Sequence, residues 1–130
     1  MKKTLLLLSV SSILLFSVSG CRKDIYGCTD PSAGNYAPNA NVDNGSCRYY
    51  GNVMFWFDAN NGTGTVNISN QQGTITGFVT GGVPSCGNAV SATFNLPEGN
   101  YSYSASATNG FTWSGTATVV ANSCQAYQLH

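Results

Sequence analysis

The chain has 130 residues, 42% of them hydrophobic and only 8% charged, with a formal net charge of zero. That length holds one compact domain with a modest core and a short appended module. No Lys or Arg follows Arg48, which excludes a nucleic-acid interface built on counterion release and a basic headgroup-binding patch in the C-terminal region.

In chain order, Lys2 and Lys3 precede an apolar run over residues 5–18 that ends on Val18-Ser19-Gly20-Cys21. At about 14 residues the run falls short of the ~20 that a spanning helix needs, and it suits the h-region of an export signal. A small aliphatic residue, two small residues and a cysteine directly after such a run resemble the lipobox of bacterial lipoproteins. In that family the cysteine thiol receives a diacylglycerol, the peptide bond before it is cut, and the new N-terminus is acylated. Small residues at the cut leave an extended backbone open to the peptidase. The resemblance implies a signal peptide over 1–20 and a tether over 21–27 whose Cys21 carries fatty-acyl chains such as palmitate. It also implies a cell-envelope location, lipid-anchored in the outer membrane of a Gram-negative bacterium, with the membrane as partner through Cys21 alone. Once Lys2 and Lys3 are removed, Arg22, Lys23 and Arg48 face Asp24, Asp30, Asp43, Asp58 and Glu98, so the mature chain is mildly acidic.

An odd cysteine count in an exported chain leaves one thiol over. With Cys21 assigned to lipid, Cys28, Cys47, Cys86 and Cys124 remain. Four cysteines allow three pairings. Cys28 with Cys47 and Cys86 with Cys124 keeps each bridge inside one compositional segment, and is the expected pairing. A zinc site lacks its spacing, since there is no C-x-x-C pair and the single histidine is His130. No metal and no cofactor is expected.

Residues 28–48 are rich in Pro, Gly, Asn and Asp and show no hydrophobic periodicity, so they cannot fold on a core alone. A closing disulfide would make them a compact loop. The pattern around Gly27-Cys28-Thr29-Asp30-Pro31, Asn35-Tyr36, Pro38-Asn39-Ala40 and Gly45-Ser46-Cys47 resembles a short module, often repeated, of secreted and surface bacterial proteins. The resemblance implies a spacer with one bridge and no enzymatic role. Asn39, Asn41 and Asp43 alternate side-chain oxygens, but an EF-hand loop counted from Asn39 would need Gly at Asn44 and Glu at Tyr50. Asn and Asp are also the ordinary residues of turns, which is the reading we adopt.

From Tyr49 onward Thr, Ser, Val and aromatic residues alternate with period two. Residues 53–57 are apolar on both faces and predict an interior strand. Strands are predicted over 65–69 with Val66 and Ile68 inward, over 74–79, and around Val90, Ala92, Phe94 and Leu96. Two more place Tyr101, Tyr103, Ala105 and Ala107, then Phe111, Trp113, Ala117 and Val119, toward a core, and residues 124–129 close the set. Turn chemistry separates them at 60–62, 70–73, 97–100, 109–110 and 121–123. About seven short strands so spaced predict an all-β, antiparallel β-sandwich over 49–130. Leu96-Pro97-Glu98-Gly99-Asn100-Tyr101 resembles the L-P-x-G-x-Y hairpin of prealbumin-like and carboxypeptidase-regulatory-like sandwiches, which implies that architecture and no particular activity.

Acid–base chemistry would have to come from Asp58, Glu98 and His130, and there is no G-x-S-x-G elbow. The expectation is therefore a non-enzymatic lipoprotein with a structural or protein-interaction role, its partner an envelope protein. The alternative is a surface module that binds an extracellular glycan. The in-phase placement of Trp56 and Trp113 puts both in the core. Tyr49, Tyr50 and Trp56 are the large amphipathic groups from which a binding site could be built.

Overall fold

The computed structural model describes Gly20 and residues 22–130; the expected lipid site Cys21 and, Gly20 apart, the expected signal segment lie outside the described residues. Every regular element among the described residues is a strand: β1 (Tyr26–Gly27), β2 (Val42–Asp43), β3 (Tyr50–Phe57), β4 (Gly64–Ile68), β5 (Gln71–Ile75), β6 (Ala92–Pro97), β7 (Gly99–Ala107), β8 (Thr112–Val119) and β9 (Cys124–Leu129). β1 and β2 form a two-stranded sheet in the small module. The other seven make a three-stranded sheet, β6-β3-β9, and a four-stranded sheet, β5-β4-β7-β8.

The two larger sheets share one core because the period-two pattern puts an apolar side chain inward at every second position. Val53, Phe55 and Phe57 of β3 meet Val66 and Ile68 of β4, Phe94 and Leu96 of β6, and Ala117 and Val119 of β8. Phe55 is the hub, with ring centroids 6.0 Å from Phe94, 4.7 Å from Tyr103 and 5.5 Å from Tyr127. Fully burying a side chain of this size contributes about 1.5–3 kcal/mol.

Both disulfides form as expected, Cys28–Cys47 and Cys86–Cys124, closing separations of 19 and 38 residues. In the chain-entropy account each stabilises by ~3–4 kcal/mol. The module has almost no interior of its own, only Cys28 and Ala33. It also draws in the segment expected as tether: Ile25 N donates to Asn41 Oδ1 at 2.7 Å, and Asn41 Nδ2 donates to Lys23 O at 3.2 Å.

Four details depart from the expected pattern. β3 pairs antiparallel with β6 but parallel with β9, so the domain is not purely antiparallel. The chain leaves β8 in one sheet, turns at residues 120–123, and enters the other sheet running in the direction of β3. Second, the β4–β5 hairpin turns on Ser69 and Asn70, both at positive φ, so β5 begins at Gln71 and not at Thr74. A two-residue turn with both residues left-handed matches the strand twist, and this displaces the Asn70–Gly73 turn. Gly73 then lies inside a strand, where a Cβ would meet the Phe94 ring at 2.6 Å. Third, β6 starts at Ala92, leaving residues 76–91 as a long connection. Finally, Phe111 sits in the β7–β8 turn, before β8 begins, and is 60% exposed instead of inward.

The crossover into β9 depends on Gly51. Asn122 N donates to Tyr50 O at 2.9 Å and Asn52 N to Ser123 O at 2.8 Å, which brings the turn against β3. A Cβ on Gly51 would lie 2.0 Å from the Val120 carbonyl oxygen, a backbone atom that cannot rotate away. Gly51→Ala is expected to destabilise by about 1–3 kcal/mol, lowering the melting temperature by roughly 5–15 °C for a domain of this size. Thermal unfolding followed by circular dichroism checks this. An unchanged transition would mean that the crossover tolerates a side chain there.

Candidate functional site

Tyr49 and Tyr50 lie where the module meets β3, and both are half-buried. The Tyr49 hydroxyl donates to Asp30 Oδ2 at 2.6 Å, while Asp30 Oδ1 accepts from the Ser32 N–H at 2.9 Å and the Ser32 hydroxyl at 2.7 Å. The Tyr50 ring covers Gly34, where a Cβ would come within 2.6 Å of it. Gly34 N donates to Arg48 O at 2.8 Å, and Arg48 N donates to Asn35 Oδ1 at 2.7 Å. The two tyrosines are therefore used inside the protein, to dock the module on the domain. Trp56 is six positions beyond Tyr50 on the same face of β3, which a rise of ~3.3 Å per residue puts about 20 Å away. The expected Tyr49–Tyr50–Trp56 surface does not assemble.

Two of the module's oxygen-bearing side chains are likewise committed to turns. Asp43 Oδ1 accepts from Gly45 N at 2.9 Å and Asn44 Oδ1 from Ser46 N at 3.1 Å, the Asx geometry expected of such residues. Among the described residues no group of three or more His, Cys, Asp or Glu side chains converges as a metal site would require.

Two of the domain's concavities bear on the site. A shallow one of about 460 Å³ on the four-stranded sheet is lined by Asn67, Gln72, Ser102, Ser104 and neighbours. Two of its amides pair with each other, Gln72 Nε2 donating to Asn67 Oδ1 at 2.9 Å. The other, about 360 Å³, lies over the outward face of the three-stranded sheet. Its walls are Trp56, Asp58 and Gln128 on the sheet side and residues 79–83 of the β5–β6 connection. That connection runs beside the end of β3, Val79 N donating to Phe57 O at 2.9 Å, and Cys86 bonds it to Cys124 at the start of β9.

Trp56 is buried as expected, but in this outer layer and not between the sheets. Its Nε1 is buried and has no hydrogen-bond partner. An unanswered buried donor costs about 1–3 kcal/mol, so it is the most chemically demanding atom of the domain. Trp113 differs: it packs on Phe57 with centroids 5.5 Å apart, and its Nε1 donates to His130 O at 3.0 Å. Near Trp56, Gln128 Nε2 donates to Asp58 Oδ2 at 2.6 Å. Sequence reading missed Asp58, Gln128 and residues 79–83 as companions of Trp56. The usable signal was that residues 53–57 are apolar on both faces, which demands a cover on the second face.

The junction has a definite pH signature. Hydrogen bonds from Tyr49 and then Ser32 hold the Asp30 carboxyl below its ordinary value, and the same bond to Asp30 raises the Tyr49 phenol. A lowered carboxyl contributes stability above its unfolded pKa, about 3.9, that is lost as pH falls through the folded value. A raised phenol contributes stability below about pH 10 that is lost as pH rises through its own folded value. Docking is thus expected to persist between these limits. In an alkaline titration read by phenolate absorbance, Tyr49 ionises above the ordinary range, and Tyr49→Phe deletes that late component. The same variant raises amide exchange over residues 30–34 at neutral pH. If exchange there is unaltered, the hydroxyl does not hold the junction. As to likeness, no protein-family profile matches the chain, and no curated protein or solved structure is significantly similar to it.

Proposed function

We propose that the chain is a non-enzymatic cell-envelope lipoprotein whose two-sheet domain acts as a structural or protein-interaction module. The observation that carries this reading is the junction at Tyr49 and Tyr50, which couples the module to the domain instead of leaving it on a loose linker. On this reading Cys21 carries the acyl chains and residues 1–20 are removed. The first module hydrogen bond, at Lys23 O, follows almost at once, so the domain stands on a short, stiff base at the outer membrane.

The two sheets are read as a β-sandwich akin to the prealbumin-like and carboxypeptidase-regulatory-like folds. The L-P-x-G-x-Y turn supports this, with the Tyr101 hydroxyl donating to Pro97 O at 2.9 Å. Asp58 and Glu98 lie beyond opposite ends of β3, since Glu98 N donates to Tyr49 O. At ~3.3 Å per residue they are about 30 Å apart, whereas carboxylates that share one glycosidic bond stand within roughly 10 Å. This spacing supports a non-catalytic role.

A second reading, surface glycan binding, is favoured by one observation: the cavity over the three-stranded sheet has Trp56, Asp58 and Gln128 in its wall.

The lipoprotein reading is tested by intact mass of the chain extracted from membranes. The expected species begins at Cys21 and carries three acyl chains, well past what stable anchoring needs. Cys21→Ser should abolish both the cut and the lipid. A wild-type chain recovered unmodified from the aqueous phase would overturn the proposal.

A further inference from the structure

The small module leaves large side chains in water: Tyr26 is 65% exposed and Tyr36 41%. The two tyrosines share a face. Tyr26 is in register with Val42, and Cys28 with Tyr36. In-register partners project to the same side of a sheet, as do residues two apart on one strand. Tyr26, Val42, Cys28 and Tyr36 therefore point one way. Gly27 faces the other way, where a Cβ would meet the Ala37 and Ala40 methyls at 3.0 and 3.1 Å. One side of this two-stranded sheet is closed by alanines, and the tyrosines stand on the open side.

What covers that side follows from where the continuous described chain starts, at Arg22. The module takes hold of it at once: Asn41 Nδ2 donates to Lys23 O, Ile25 N donates to Asn41 Oδ1, and Asn41 directly precedes Val42. Two residues of chain reach at most about 7 Å. An acylated Cys21 therefore holds Asn41 and its neighbours close to the headgroup layer, which is about 5–8 Å deep in each leaflet. Tyrosine, with an apolar ring and a polar tip, is a side chain that settles in that layer. A folded partner lacks room there, because five residues of chain hold Tyr26 within about 18 Å of the anchor, less than the ~30 Å width of a small domain. We infer that the face carrying Tyr26, Tyr36 and Val42 lies in the headgroup–acyl boundary of the bilayer and seats the module on it. The inference rests on the lipoprotein reading and adds to the acyl chains a contact made by the protein itself.

Charge does not drive this contact. Arg22 and Lys23 are offset by Asp24 and by Asp43, which follows Val42, so anionic lipid gives little extra attraction. The seat also orients the rest of the chain. Tyr49 donates to Asp30 and the Tyr50 ring covers Gly34, so the domain is held at the angle at which the module lies.

The test uses the processed chain purified from membranes, with its acyl chains verified by intact mass. It is reconstituted at low surface density in phosphatidylcholine vesicles, with and without phosphatidylglycerol, and probed by hydroxyl-radical footprinting. Phe111, 60% exposed in the β7–β8 turn at the far end of the domain, is the internal reference. In water Tyr26 would be oxidised at least as fast as Phe111. Seated on the bilayer, Tyr26 and Tyr36 are expected to react about three- to tenfold more slowly than Phe111, equally in both lipids. As a second reading, Tyr26→Trp should add an emission component quenched by brominated phosphatidylcholine, while the native Trp56 and Trp113, toward the far end of the domain, are not quenched. Tyr26 labelled as fast as Phe111 on a chain of verified acyl mass, or a Tyr26→Trp emission that the brominated lipid leaves unchanged, would overturn the seat while the lipoprotein reading stands. Protection that needs phosphatidylglycerol, or fades on further dilution in the vesicle, would also overturn it, in favour of a charge contact or a second copy. A chain without acyl groups would overturn both.

Discussion

The C-terminal domain depends on β3 being walled on both faces. Its inward residues Val53, Phe55 and Phe57 belong to the shared core, while Met54 and Trp56 on the other face are just as buried. A strand apolar on both faces cannot sit at a surface without exposing two large side chains to water. Residues 79–83 line the cavity beside Trp56 at its end of the strand, and Cys86–Cys124 ties their connection to β9. Cover, disulfide and cavity therefore have one origin. The connection meets the apolar demand of Trp56 but not its polar one, which is why a single indole N–H is left without a partner.

The two ends of β3 have different work. At the first, backbone and side-chain hydrogen bonds fasten the module, and Gly51 lets the β8–β9 crossover pass close to the strand. Polar groups here are answered within the protein. At the other end, Asp58, the connection and the turn glycines surround a volume that no side chain fills. This polarity, a fastened base and an open tip, suits the displayed domain proposed above, and it follows from the strand's sequence: tyrosines at its start and tryptophan near its finish.

Much of this was legible in the sequence, and the failures share a cause. Alternation located the strands, and the compositional break at Tyr49 separated the two cysteine pairs, because both signals are local. The direction of β9 was not legible, since parallel and antiparallel partners present the same period-two pattern. The Ser69–Asn70 turn was missed because Asn70-Gln71-Gln72-Gly73 offers equally polar turn residues, and only the register Ile68–Gln71 decides between them. Phe111 looked inward by parity, but parity counts only while the chain is extended, and it lies in the turn before β8. Tyr49 and Tyr50 looked available because no periodicity claims them. Their partners, Asp30 and Gly34, come from a segment with no pattern that could announce a contact.

The parallel pairing of β3 with β9 also governs how the domain folds. β3 is the first long strand to emerge, yet its two neighbours are β6 and β9, and Asn52 waits for Cys124 as its partner. Closing a loop of that length before any reward from the contact slows folding, as it does in other β topologies dominated by non-local pairs. The hairpins of the four-stranded sheet can form early, but the central strand of the other sheet stays unpaired on one side until almost the whole chain is available. On the export reading proposed above, that delay would keep the polypeptide unfolded while it is threaded across the membrane, closing only once β9 has followed.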